Sequence, residues 1–161
     1  LRTAEFSAEK VIEGLKKFRA YEDPLKKKSY LLLKILKRQG FGIKGKIGFP
    51  VDSVLVELAL SAEIVQPRDE VLKKIRRGEV LSEEESYELR EEVSKALNAL
   101  SEASGIEADI LDDILWSYGR EIHRKGSTAL DERVEGAALE KFIKLIRRSA
   151  TKVVFPRNWF F

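Results

Sequence analysis

The sequence predicts an all-α fold, a compact bundle of about seven helices, on three observations. Apolar residues recur at three- and four-residue spacing along most of the chain. No period-2 alternation runs long enough to build a sheet. Ser, Asp, Pro and Gly punctuate the periodic segments where helix starts and stops are expected. The 161 residues make a single helical domain, 1–161, and a composition 43% hydrophobic and 35% charged supplies a core and argues against disorder.

Residues 7–20 place Val11, Leu15 and Phe18 on one face, with Ser7 as the cap of an imperfect capping box. Residues 24–38 form a second helix, with Asp23 as N-cap and Pro24 in the first helical position. Gly40, Gly42, Gly45 and Gly48 then break the pattern as a glycine-rich loop or short hairpin carrying Lys44 and Lys46. Residues 50–65 read as a helix from Pro50, with Val51, Val54, Leu55, Leu58 and Ala62 on its apolar side. A short basic helix over 68–77 ends at Gly78. Ser82 and Glu85 form a capping box that opens a long helix to about Ser104, stopped by Gly105. Residues 107–125 make the next helix, with a basic last turn and Gly126 beyond it. Asp131 opens the last, to about Ser149, and the aromatic tail "VVFPRNWFF" packs back on the body.

Composition removes several classes of chemistry. With no cysteine there are no disulfides, thiolate metal sites or cysteine nucleophiles, and one histidine leaves little for a His-based metal site. No apolar run approaches the roughly 20 residues of a membrane helix. Glu5, Glu9 and Glu13 interrupt the first segment, so no signal peptide is read there. An intracellular, cytoplasmic protein is expected, and the absence of an initial Met suggests a fragment or a processed start. Scarce Asn and Gln beside many charges suggest a thermophile. The net charge of +3 is unevenly spread. Residues 1–48 carry 13 basic and 5 acidic side chains, residues 49–115 carry 7 and 17, and residues 116–161 carry 10 and 5. Basic ends around an acidic middle allow one basic face, which suits phosphate; solvated helices with internal ion pairs are the plainer reading.

Three constellations carry chemistry. The first is "YEDPLKKKSYLLLKIL", where Lys26, Lys27 and Lys28 crowd a helix start. Like charges and the positive helix terminus both disfavour the protonated amine, and a neutral amine is a nucleophile. Physics alone does not separate Lys27 from Lys28, and a solvated basic turn is the commoner fate of such lysines. The second is "FPVDSVLVELAL", where Asp52 is either a helix cap or a fixed anion that stabilises a cationic transition state. Main-chain N–H groups of the preceding glycine loop, around Gly45, suit phosphate together with Lys44 and Lys46. The third is "LDDILWSYGR", where Asp112 and Trp116 share a helix face. An aromatic plate beside a hydrogen-bonding carboxylate is what a pocket for a flipped base needs, and core packing of Trp116 is the plain alternative. His123, in a basic helix end, reads as a surface or supporting residue.

In order, these motifs resemble the helix–hairpin–helix DNA glycosylases, and most closely their archaeal 8-oxoguanine branch. That family carries a lysine at the start of one helix, here Lys27 shortly after Asp23-Pro24, with a second lysine seven residues on, here Lys34. A P-V-D motif follows, here Pro50-Val51-Asp52, and then a glycine–isoleucine pair and L-D-x-[LI]-L-W-x-x-G-R, here Gly105-Ile106 and Leu111 to Arg120. The resemblance spans about Tyr21 to Lys125. Leu31 stands where the family has an aromatic, and the segment before the lysine is shorter than in the family.

The resemblance implies that Lys27 is a Schiff-base nucleophile and Asp52 its catalytic carboxylate. Lys34, Asp112, Trp116 and Leu31 would line a base pocket, with Lys26, Lys28, Lys44, Lys46 and Gly45 toward DNA phosphates. It implies a monomeric DNA glycosylase with AP-lyase activity on double-stranded DNA holding a damaged base, 8-oxoguanine foremost, with no cofactor, metal or membrane. Two rivals remain: a related nucleic-acid-binding domain without catalysis, and an unrelated helical module whose acidic middle docks a basic partner.

Overall fold

A computed structural model describes residues 5–125 and 152–157, with side chains described outside 121–125. The described chain is mostly helical. A short strand β1 (Glu5–Ser7) leads into α1 (Ala8–Leu15), a 3-10 turn (Arg19–Tyr21) and α2 (Lys27–Arg38). A second strand, β2 (Gly42–Lys44), precedes α3 (Ser53–Ser61), α4 (Asp69–Arg77), α5 (Glu83–Ser104) and α6 (Ala108–Lys125). The expected helix from Asp131, its neighbour Gly126, the His123 side chain and the end of the tail lie outside the described residues.

Locally capped elements follow their sequences closely. Ser82 and Glu85 form the reciprocal capping box of α5, and Gly105 closes that helix in a left-handed conformation. Gly78 closes α4 in the same way. Ser7 caps α1 by accepting from the Lys10 N–H. Several expectations are corrected. Helix α1 stops well before residue 20, because only Ala8 and Ile12 on it are buried, while Phe18 is exposed and anchors nothing. Helix α3 starts after Asp52, not at Pro50, because Asp52 is its N-cap and accepts from the Leu55 N–H at 3.0 Å. The glycine-rich segment is not a hairpin. Its strand β2 pairs in parallel with β1, in the register Glu5 to Gly42, Phe6 to Ile43 and Ser7 to Lys44. Phe6 and Phe41 meet at the edge of this pair in a tilted contact, with ring centroids 6.4 Å apart and planes 57° from parallel.

Helix α2 also begins later than expected. Pro24 sits in a turn closed by the Lys26 N–H bonding to the Asp23 carbonyl at 2.8 Å. Lys26 then adopts a left-handed backbone, φ 59°, and the helix proper starts at Lys27. Asp23 still caps it from a distance, since its carboxylate accepts the N–H groups of Leu25 and Lys27 at 3.2 and 3.1 Å.

Two apolar clusters result. The larger is built by α3, α4, α5 and α6, with Phe49, Val51 and Leu81. Part of the tail joins it: Val153 is buried, and the Val154 carbonyl accepts from the Leu81 N–H at 3.0 Å. The smaller gathers Ala8, Ile12, Leu33 and Ile47 under α1 and α2. Across from that cluster α2 meets α6 and the turn before it through charges: Lys37 bonds Asp109 at 2.9 Å and Glu107 at 2.5 Å, and Arg38 pairs with Asp113. Among the described residues no helix is long and apolar enough to cross a membrane.

The loop from β2 to α3 passes close under α2. A Cβ on Gly48 would stand 2.9 Å from Tyr30 Cε2 and 3.0 Å from its Cζ. Gly48→Ala is therefore expected to cost about 1–3 kcal/mol by overpacking. Chemical denaturation would read this as a lower midpoint at unchanged slope.

Candidate functional site

The seam between the two clusters opens into a cleft of about 250 Å³. Helix α2 forms one wall. Its residues Lys27, Leu31, Lys34, Ile35 and Arg38 recur at three- and four-residue spacing, so one stripe faces the opening. Pro50 and Asp52, at the entry to α3, form the floor, and Asp112, Asp113 and Trp116 of α6 form the far wall.

The cleft is chemically mixed. Leu31, Ile35, Pro50 and Trp116 give it apolar surface. Among them runs a chain of charges that links the two walls: Lys34 bonds Asp112 and lies 2.6 Å from Asp113, which also pairs with Arg38. Lys34 and Asp112 are buried, whereas Arg38 and Asp113 reach solvent. Burial raises the Asp112 carboxyl above the usual range, and Lys34 opposes that rise. Asp52 does two things at once. One carboxylate oxygen caps α3, and the other accepts from Trp116 Nε1 at 2.8 Å. This bond joins α3 to α6 and orients the indole. Arg120 lies over the same indole, its Cζ 5.0 Å from the ring centroid.

Lys27, the first residue of α2, begins the stripe. Burial lowers its amine below the ordinary lysine value; Asp52 opposes that shift, Arg90 adds to it, Asp23 opposes it and Lys28 adds to it. The lowering expected from the lysine cluster is present, but desolvation leads it and the neighbouring ammonium contributes least. Lys27 lines the cleft; Lys28 is not among its lining residues.

The other residues named from sequence lie elsewhere. Lys26 lines a separate hollow with Lys16, Tyr21 and Glu22. Lys44 and Lys46 belong to another depression beside Ser101 and Asp109, where Lys44 lies 3.5 Å from Glu5 and Lys46 2.8 Å from Glu102. Gly45 has positive φ and packs against the Glu9 carboxylate, so an anion of the chain itself covers this glycine. The structure thus brings together Lys27, Leu31, Lys34, Asp52, Asp112 and Trp116, and keeps the loop lysines apart from them.

Sequence reasoning missed Ile35, Arg38, Pro50 and Asp113 as cleft residues, and Arg90 beneath it. Ile35 and Arg38 were recoverable from the helical stripe begun by Lys27 and Lys34. Arg90 interrupts the buried face of α5 between Leu89 and Val93, an anomaly visible in the sequence. Among the described residues no group of acidic or histidine side chains is arranged to hold a metal ion. No family model, no curated protein and no solved structure matches this chain.

Proposed function

We propose that the chain is a DNA base-excision glycosylase with AP-lyase activity, acting on an oxidised purine, 8-oxoguanine foremost, through a Schiff base on Lys27. The observation that carries this reading is a half-buried lysine of lowered pKa sharing one cleft with a fixed aspartate and an aromatic plate. The same constellation fits the order of motifs by which the sequence resembles the glycosylases.

The chemistry follows from the residues. A flipped purine has two apolar faces and a polar edge, and the cleft offers both kinds of surface, Trp116 and Leu31 for the faces and Lys34 and Asp112 for the edge. Neutral Lys27 Nζ attacks C1′ of the sugar. The glycosidic bond breaks, and its electron pair leaves with the base, which takes up a proton. Positive charge develops at C1′ and the ring oxygen during this step, and the Asp52 carboxylate is the fixed anion that stabilises it. The attacking nitrogen loses a proton, the C1′–O4′ bond opens with its electron pair going to O4′, which takes up a proton from water to become a hydroxyl, and a protonated imine joins C1′ to Nζ. Loss of a proton from C2′ then expels the 3′ phosphate, and water hydrolyses the imine to free Lys27. Each step runs on protein groups and water.

The test is reductive trapping. Incubation with a duplex containing one 8-oxoguanine and sodium borohydride should give a protein–DNA adduct, since hydride reduces the imine to a stable amine. Absence of an adduct and of base release, with salt-sensitive duplex binding retained, would assign the chain to the non-catalytic binding domains instead. Absence of binding at low salt would exclude both.

A further inference from the structure

Beneath the cleft lies a buried ion pair that the proposed chemistry does not touch. Asp23 and Arg90 are 3% and 2% exposed. Arg90 donates from Nη1 and Nη2 to the two Asp23 oxygens at 3.2 and 2.6 Å, a two-pronged contact. Its Nε donates to the Val51 carbonyl at 3.3 Å. The partners of this one guanidinium are instructive. Asp23 holds the N–H of Lys27 and closes the turn whose last residue, Lys26, is in the left-handed region, a conformation costing a non-glycine residue about 1–2 kcal/mol. Val51 immediately precedes Asp52. Arg90 on α5 therefore reaches both backbone segments that carry the two candidate reacting groups, and those segments belong to different elements.

We propose that Asp23 and Arg90 are positioning residues, a buried clamp that sets Lys27 against Asp52 by fixing the start of α2 and the entry to α3 in one frame. The inference rests on the reading of Lys27 as nucleophile and Asp52 as its carboxylate. An ion pair kept only for stability gains little over apolar packing, because desolvation offsets most of its attraction. A forked cation that satisfies a carboxylate and a carbonyl of separate segments gives geometry as well.

Arg90→Lys keeps the charge and loses the fork. In single-turnover trapping at saturating duplex it is expected to react about 10- to 100-fold more slowly than the native chain, as a displaced reacting group does. The Kd for duplex should be unchanged. A folded Arg90→Lys that reacts at the native rate, or whose loss lies wholly in Kd, overturns the proposal.

A second measurement needs no reaction on DNA: competitive acylation of Lys27 against pH, read by peptide mass spectrometry. Charges around Lys27 come from Asp23, Lys28, Lys34 and Arg38, from Asp52, from Arg90, and from Asp112 and Asp113 across the cleft. Arg90 and Asp23 act on it in opposite senses. In a clamp that stays in place, Arg90→Gln moves the Lys27 titration to higher pH and Asp23→Asn moves it lower. Simple loosening admits water and moves both higher, which overturns the proposal, as does no movement. If Arg90→Gln fails to fold, Asp23→Asn decides alone by the sign of its shift. A native chain that forms no adduct but shows the opposed shifts would remove the glycosylase reading and leave the clamp standing.

Discussion

Lys27→Gln is expected to abolish both the borohydride adduct and base release, lowering the single-turnover rate at least about a thousandfold, as removal of a nucleophile does elsewhere. Lys28→Gln should leave the rate close to native. The contrast is demanding because the two lysines are adjacent and equally basic in composition. They differ in direction: Lys27 lines the cleft with Lys34 and Leu31, and Lys28 does not. Stability should not fall in Lys27→Gln, since a half-buried cation disfavoured by desolvation is replaced by a neutral side chain of similar length. Thermal melts of both variants therefore serve as the control for the activity loss. The pH dependence carries a sign. Burial lowers the Lys27 amine, so the neutral, reactive form appears at lower pH than for an ordinary lysine. The adduct rate of the native chain should rise with pH and level off before surface lysines lose their protons. An adduct that survives Lys27→Gln and Lys28→Gln together sinks the assignment.

Why Lys27 could be singled out only by resemblance, and not by spacing, is plain in the structure. Sequence patterns report what happens within about four residues. The Asp52 cap, the Ser82–Glu85 box and the glycine stops at 78 and 105 are of that range and were legible. The start of α2 was not: Asp23 is paired with Arg90 from α5 and closes a turn to the Lys26 N–H, and the helix begins at Lys27. That start decides which lysine begins the inward stripe. The parallel pairing of β1 with β2 was equally hidden, since two three-residue strands carry no periodicity to detect. The cleft itself was partly legible: Lys27, Lys34, Asp112 and Trp116 share faces of their helices by simple spacing. The bond from Trp116 to Asp52 joins residues far apart in sequence, and no local rule anticipates it. Charge counting does not show which lysines are paired within the chain, and Glu5 and Glu102 lie against Lys44 and Lys46.

The double engagement of Asp52 makes Asp52→Asn the sharper test of the carboxylate. An amide has one acceptor oxygen where the carboxylate has two. It can cap α3 through the Leu55 N–H or accept from Trp116 Nε1, and its NH2 faces a donor at the other position. A stability loss of about 1–3 kcal/mol is expected from the donor left without an acceptor. The loss of charge matters more for the reaction. Removing a fixed electrostatic partner of the transition state should lower the rate of base release about 100- to 1,000-fold at saturating duplex. The pH profile then separates this role from a change in the lysine. Asp52 holds the Lys27 amine up against the desolvation that lowers it. Without that anion the amine falls further, so neutral Lys27 is more abundant near neutral pH, not less. The variant should show a lower plateau together with a rise that begins at lower pH. If Asp52 served only to tune the lysine, the variant would be faster than the native chain at low pH. Single-turnover rates across pH distinguish the two, and a native plateau in a folded Asp52→Asn would remove Asp52 from the reaction.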